Sequence, residues 1–551
     1  MLWKADLGNG RYKNPILYTD YSDPDVIRVG NDFYMTASSF NNVPGLPILH
    51  SRDLVNWEHI GYALQKIPEF RYRDPMHGCG VWAPSLRFHD GIYYIYFPMP
   101  DEGIYMITAH NPGGKWSDPV RVYDGAGFID PCPFWDEDGR AYLVNAVAKS
   151  RIGYKSVLYL SEMSPDGKQL ISEPVQIYDG TADGNVTTEG PKVYKKYGYY
   201  YIFAPAGGVK TGWQIVLRSR EIAGPYEVRT VMRQGTTGVN GPHQGAWVDT
   251  PQGTDWFLHF QDVFAAGRIL HLQPMQWTAD FWPIIGQPGM QSAFAGEPVT
   301  DYEKPVKTDS TAEREIQRNL PFTGITGRLV PGWQWNANPS ATWMQPAEDG
   351  GIYLTAVQVS EKRPLSDYPN LLLRKWEAPA FKVQAEMDLS EMADGTMAGM
   401  ASMGIDFGGI AVEKTEDSCR ICKITGQQTF DAGMVYADEK REYIQITKDI
   451  AQKLRFTFEV IPTNNVAAMS FKPEYKEGEE SKVLHPEEKV RITMQDRSGR
   501  ELVHIEVPGS AGRWVGAKYG FFHVKVGMAG RWQGAETEEI GCVKISDVIL
   551  T

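Results

Sequence analysis

Three acidic residues in the first half of the chain share a local setting. Asp23 lies in YSDPDV, Asp130 in FIDPCP and Glu189 in TEGPKV, each followed closely by a proline and then by an apolar, strand-like run. Asp and Pro favour turn starts on their own account, so a single instance would carry little weight. Three at one position of a repeating pattern point to chemistry. Carboxylates that converge on one site suit the cleavage of a glycosidic bond. One, protonated, gives its proton to the leaving oxygen, while another, ionised, activates water or attacks the sugar. A third carboxylate nearby raises the pKa of its neighbours by like-charge repulsion and helps keep the acid protonated near neutral pH.

Other residues could serve or mislead. Trp82, in VWAPS, offers a flat apolar face to a sugar ring or simply fills a core. His243, in GPHQGAW, is a candidate ligand for an axial ion or water, or a satisfied core histidine. Asp25 follows Asp23 by two residues, so on an extended segment both would face one side and compete for the same role. Arg73-Asp74-Pro75 is a further Asp-Pro step whose simplest reading is a turn.

The elements that must position these groups are repeats. RVGNDFYMTAS, FHDGIYYIYFPM, DEDGRAYLVNA, KKYGYYYIFAP and PQGTDWFLHFQ each place a turn before alternating aromatic and apolar residues. Their glycines, Gly30, Gly91, Gly139, Gly198 and Gly253, recur roughly every 50 to 60 residues, the length of one four-stranded blade with its loops. SRDLVNWEHIG, TAHNPGGKWSDPV, LSEMSPDGKQLISEPV and RSREIAGPYEV follow as third and fourth strands. Five such units predict a five-bladed β-propeller. The first strand of each blade lines the central channel, so groups entering those strands from three blades would meet at one end of the funnel.

The whole chain of 551 residues is too long for one core. With 55 Gly, 36 Pro, 16 Trp, 28 Tyr and 22 Phe it reads as all-β. The propeller is expected over 1–300, a polar, proline-bearing linker over 301–330, and a β-sandwich of the concanavalin or jelly-roll kind over 331–551, where short strand candidates resume. A net charge of −13 argues against nucleic-acid or anionic-membrane partners. No basic-then-apolar leader opens the sequence and no run of eighteen apolar residues occurs, which leads us to expect a soluble, cytoplasmic protein. Oligomeric state is not legible. The five cysteines are scattered, and the CxxC pair Cys419 and Cys422 lacks the further ligands a zinc site needs.

The stretches NPILYTDYSDPDVIRVGNDFYMTASSF, VPGLPILHSRDLVNWEHIGYAL, GVWAPSLRFHDGIYYIYF, FIDPCPFWDEDGRAYL and TEGPKVYKKYGYYYIF resemble glycoside hydrolase family 43, in its β-xylosidase and α-L-arabinofuranosidase branch. The resemblance runs through the whole propeller. It implies an inverting mechanism with Asp23 as general base, Asp130 as pKa modulator and orienting group, and Glu189 as general acid. It further implies Phe40 and Trp82 as aromatic walls of the terminal-sugar pocket and Arg268 as a donor to sugar hydroxyls. His243 resembles the family's axial histidine beside a cation or water, calcium in many relatives, although a lone imidazole is a poor ligand for that ion. No redox or nucleotide cofactor is implied. WQWNANP, NLLLRKW and GRWVGAKYGFF resemble the C-terminal domain of this branch, whose loop leans on the propeller and closes the pocket; a binding module and a passive stabiliser are the alternative roles for the domain. AGRWVGAK and AGRWQGAE, residues 511–518 and 529–536, duplicate a motif of which one copy is expected. The reading is an exo-acting enzyme that removes terminal xylosyl or arabinofuranosyl units from plant cell-wall oligosaccharides. Its rivals are a glycan-binding propeller without catalysis, which would not need Glu189, and an endo-arabinanase, against which the extra domain argues.

Overall fold

The computed structural model describes residues 2–289, 294–306, 319–324, 327–377, 379–431, 434–462, 488–527 and 541–551. Five antiparallel blades of four strands occupy the first half, each with its four strands in chain order, and the fourth blade's sheet is extended to six strands by Gly296–Glu297, parallel to its last strand, and Gln287–Pro288. The first blade runs Asp25–Val29, Asp32–Thr36, Gly45–Ser51 and Glu58–Leu64, and the second Ser85–His89, Ile92–Met99, Gly103–Ala109 and Val120–Asp124. The third comprises Phe128–Trp135, Ala141–Val147, Val157–Met163 and Val175–Asp179, and the fourth Lys192–Lys196, Tyr199–Ala206, Trp213–Ser219 and Glu227–Met232. The fifth is His243–Asp249, Asp255–Val263, Gly267–Trp277 and Pro283–Ile285. The predicted propeller is present, and the five hairpin signals fall on the turns between first and second strands. Gly30, at φ 65°, shows why: that turn needs a left-handed backbone, which glycine adopts without a Cβ penalty.

The innermost strands adjoin one another around the axis, and the axis is filled by a buried polar network drawn from four blades. Asp25 accepts the Leu86 amide and the Arg87 guanidinium, both at 2.7 Å. Lys192 reaches Pro84 O and Ser85 Oγ, and Arg87 also meets Cys132 Sγ. Asp25 is fully buried with its Oδ2 bound by Arg87 at 2.7 Å and paired with Lys192 at 3.8 Å, which gives it a structural place in the ring rather than that of a second candidate base.

The second half forms two stacked sheets. One carries, in spatial order, Trp333–Trp335, Leu372–Lys375, Lys518–Gly527, Thr396–Met403, Asp406–Lys414, Cys419–Asp431 and Met434–Ile446, with Val357–Ser360 added parallel to Lys518–Gly527. The other carries Met344–Pro346, Ile352–Thr355, Cys542–Leu550, Phe381–Asp388, Lys453–Pro462, Glu488–Gln495 and Glu501–Pro508. Alternating residues such as Phe381, Val383, Ala385 and Met387 point into the core between them. Cys419 and Cys422 lie three apart on one strand and enter different apolar clusters, so they share no ligand site.

Two parts of the stretch expected as linker are anchored. Asp301–Glu303 pairs with Arg11–Lys13 and helps fasten the start of the chain to the propeller. Leu320 and Phe322 enter the sandwich core, where Phe322 stacks on Trp333 at 4.5 Å. Residues 307–318 lie outside the described residues, as does the second copy of the duplicated motif, 529–536.

The two halves meet through backbone as well as side chains. Val43 and Trp335 exchange both amide hydrogen bonds, and the Ala517 amide donates to Ala265 O at 2.7 Å. Gly267 and Gly516 pass so closely that a Cβ on Gly267 would stand 2.6 Å from the Gly516 Cα. Asp74, the decoy Asp-Pro, pairs with Arg363 across this seam and is exposed, which gives it an ion-pairing role in docking.

Candidate active site

Asp23 and Asp130 both sit in the left-handed region, at φ 55° and 54°. That conformation is uncommon for a non-glycine residue and more so before proline. Each is held there by surrounding structure: Asp23 two residues before its strand begins, Asp130 at a register shift inside the strand Phe128–Trp135. Glu189 precedes Gly190, whose φ of 57° makes the corresponding bend, with Gln244 packed where a Cβ would be. Strained backbone at equivalent points of different blades turns the side chains toward one hollow.

The hydrogen bonds give each carboxylate a different character. Asp23 Oδ2 accepts the hydroxyls of Ser22 at 2.8 Å and Ser38 at 2.6 Å, and its Oδ1 accepts Arg268 Nη1 at 2.9 Å. These bonds fix the orientation of its carboxyl group. Asp130 is buried, and its Oδ2 accepts the Gly190 amide at 2.7 Å. Burial, then the neighbouring charges of Glu189 and of Asp23, push its carboxyl up to about 8. Glu189 is the most open of the three, with 27% of its side chain exposed, and its Oε1 lies 2.8 Å from His243 Nε2. The cluster thus retains a proton near neutral pH.

The structure brings together the other residues singled out in the sequence. The rings of Phe40 and Trp82 are 6.2 Å apart, and Trp82 Nε1 donates to Gly78 O. Phe40 is almost fully buried; Trp82 keeps part of its surface open. Arg268 is buried against Phe260 and binds both Ser22 Oγ and Asp23, so its first task is to hold Asp23. His243 is fully buried with Nε2 engaged by Glu189. Among the described residues no three or more acidic, histidine or cysteine side chains are arranged so that they could hold a metal ion.

Sequence reasoning missed Ser22, Ser38 and the Gly190 amide, and it named the closing loop without its side chains. That loop, Ser510–Ala517, brings Trp514 to the propeller with its ring 6.4 Å from Trp82 and 43% of the residue exposed. Between loop and propeller lies a cavity of about 270 Å³, lined by Asp262 and Arg268 on one side and Phe430, Arg513 and Trp514 on the other. Arg268 connects the two features: it binds Asp23 and also lines this cavity.

Comparison with known proteins places the chain in a family. The family model for glycosyl hydrolases family 43 matches residues 12–283, and that for the β-xylosidase C-terminal concanavalin A-like domain matches residues 322–532. A putative β-xylosidase of Xylanibacter ruminicola is 41% identical over 74% of this chain and 74% of its own length. The non-reducing end α-L-arabinofuranosidase BoGH43B of Bacteroides ovatus is 29% identical over 72% of this chain and 75% of its own. A solved family 43 glycoside hydrolase, engineered in its active site to display both endo-xylanase and exo-arabinofuranosidase activity, superposes with a TM-score of 0.77. It does so at 23% identity, over 100% of this chain and 99% of that one, and so speaks for the fold. With its propeller matched over residues 12–283, its sandwich over residues 322–532 and a relative at 41% identity, the chain belongs to glycosyl hydrolases family 43.

Proposed function

We propose that this glycosidase is exo-acting and inverting, and that it releases a terminal pentose from plant cell-wall oligosaccharides, β-D-xylosyl in preference to α-L-arabinofuranosyl. The observation that carries the reading is the electrostatic contact of Asp130 with both Asp23 and Glu189, which gathers acidic groups from three blades into one hollow. Asp23, fixed by two hydroxyls and a guanidinium, takes the proton of a water that attacks the anomeric carbon. Glu189, the most open member, gives its proton to the departing glycosidic oxygen; the water's OH becomes the anomeric hydroxyl, and exchange with solvent then takes the proton from Asp23 and restores one to Glu189. Asp130 holds the bend at Gly190 through its hydrogen bond and keeps a proton within the set. His243 orients Glu189.

Xylose is placed first because the relative at 41% identity is named a putative β-xylosidase, whereas the named arabinofuranosidase stands at 29%. Removal of single terminal units is supported by Trp514, which stands over the pocket from the sandwich and shortens it at one end. Paired assays on 4-nitrophenyl β-D-xylopyranoside and α-L-arabinofuranoside test the preference, with the higher kcat/KM expected for the xyloside. Proton NMR of the first-formed sugar tests the stereochemistry: the β-xyloside is expected to give α-xylose first. A β-anomer product would overturn the inverting mechanism.

A further inference from the structure

The cavity lined by Arg268, the partner of Asp23, also holds a cation, Arg513, that no carboxylate among the described residues neutralises. Arg513 stands on the loop Ser510–Ala517, and among the described residues it makes no hydrogen bond or ion pair. The arginines around it are paired: Arg151 with Asp101, Arg268 with Asp23, Arg363 with Asp74 and Arg374 with Glu377. The charged or ionisable groups that act on Arg513 are Arg151, which opposes its protonation, and Cys79. Asp262, the carboxylate that lines the same cavity, acts on Arg268 at the inner end and is not among them.

An unpaired arginine on a surface is commonly just solvated, but this one is held. Its stem packs on Gly78, where an added Cβ would come within 2.9 Å of Arg513 Cγ. Its guanidinium lies over the rings of Phe430 and Trp514, at 4.8 Å and 5.3 Å from their centroids. Stacking occupies the faces of the planar group and leaves its edge donors free, the arrangement that receives a carboxylate in two parallel bonds. In a chain of net charge −13, a braced cation at the mouth of a sugar pocket attracts a negative ligand against the field of the rest of the protein.

We propose that Arg513 receives the carboxylate of an acidic sugar, a uronic acid branch carried on the leaving-group side of the pentose oligosaccharide. The inference rests on the exo-glycosidase reading above. With the terminal ring at Asp23 and Glu189, the following units run along the cavity from Arg268 toward Arg513. The exposed ring of Trp514 faces the sugar there, and the branch meets the free edge of the guanidinium.

The test compares a neutral xylo-oligosaccharide with its counterpart bearing a glucuronic acid branch on the second residue from the non-reducing end. Wild type, Arg513→Gln and Arg513→Lys are assayed on both. For Arg513→Gln the ratio of kcat/KM, acidic over neutral, is expected to fall about tenfold, which corresponds to ~1.4 kcal/mol, and less for Arg513→Lys, which keeps charge without the fork. In wild type, raising salt from low to about 0.5 M is expected to depress turnover of the acidic substrate more than that of the neutral one. A ratio unchanged by Arg513→Gln, or a wild type that rejects the acidic substrate, overturns the proposal while turnover of the neutral substrate leaves the exo-glycosidase reading standing. If wild type turns over neither, that reading fails instead. Calorimetric binding of the two oligosaccharides then decides the role of Arg513, with equal affinity counting against it.

Discussion

Arg268 Nη1 donates to Asp23 Oδ1 at 2.9 Å across the seam between the fifth and first blades, and the same nitrogen holds Ser22 Oγ. The two residues are 245 positions apart, so ring closure of the propeller is what creates the pair. If Asp23 is the base, Arg268 acts through it. Arg268→Met should lower kcat roughly 100-fold on natural and activated substrates alike. The double variant Arg268→Met with Asp23→Asn should be little slower than Asp23→Asn alone, because the two side chains act as a unit. Steady-state kinetics of the four proteins measure this, and additive losses would assign Arg268 to sugar binding instead.

The roles of Asp23 and Glu189 separate by leaving group. Glu189→Gln is expected to cost about 10²–10⁴-fold on oligosaccharides, as loss of a general acid does. An aryl glycoside with a good leaving group needs no such proton and should recover much of that rate. Asp23→Asn should stay inactive on both, since its water still lacks a base. A series of aryl xylosides of graded leaving-group acidity reads the difference as a slope, and rescue of Asp23→Asn instead would exchange the two assignments.

Much of this site was legible because its residues announce themselves locally. Asp-Pro and Glu-Gly-Pro recur at one blade position, and the propeller repeat tells which end of the funnel they share. The ambiguity between Asp23 and Asp25 was not resolvable that way. Strand alternation put both on one face, but Asp23 adopts φ 55° and breaks the alternation, while Asp25 begins the strand and pairs with Arg87. Such backbone strain is imposed by neighbours and leaves no mark in the pattern. Trp514 and Arg513 were hidden for another reason. They belong to the pocket only because the sandwich docks on the propeller through contacts such as Ala517 to Ala265, far apart along the chain.

Asp130 predicts a pH dependence of stability. Its carboxyl is pushed up to about 8 by burial and by Glu189 and Asp23, so the folded protein binds a proton there that the unfolded chain releases in the ordinary carboxylate range. Stability from this group is therefore full in acid and is lost as pH rises toward and through 8. Asp130→Asn, which still offers an oxygen to the Gly190 amide, should remove that slope. Its Tm relative to wild type should be higher at pH 8 than at pH 5, as thermal melts across that range will show. The same proton should give kcat/KM of the wild type an alkaline limb near pH 8.

Lys518 makes the opposite case at the seam between the halves. It is 5% exposed and lines a small cavity with Gln428, whose Nε2 has no hydrogen-bond partner among the described residues. Burial lowers its ammonium to about 8, helped by the nearby charge of Lys375 and opposed by Asp20. The folded state thus holds this proton less firmly than the unfolded chain, and the penalty is full below pH 8 and fades as pH rises toward the ordinary lysine range. Lys518→Met, similar in length and without charge, should stabilise the protein by about 1–3 kcal/mol at pH 7. The gain should shrink between pH 8 and pH 10. Denaturant titrations at these pH values measure it. A loss of stability at pH 7 would mean that the ammonium is neutralised at the seam, and that the sandwich is held on the propeller partly by this charge.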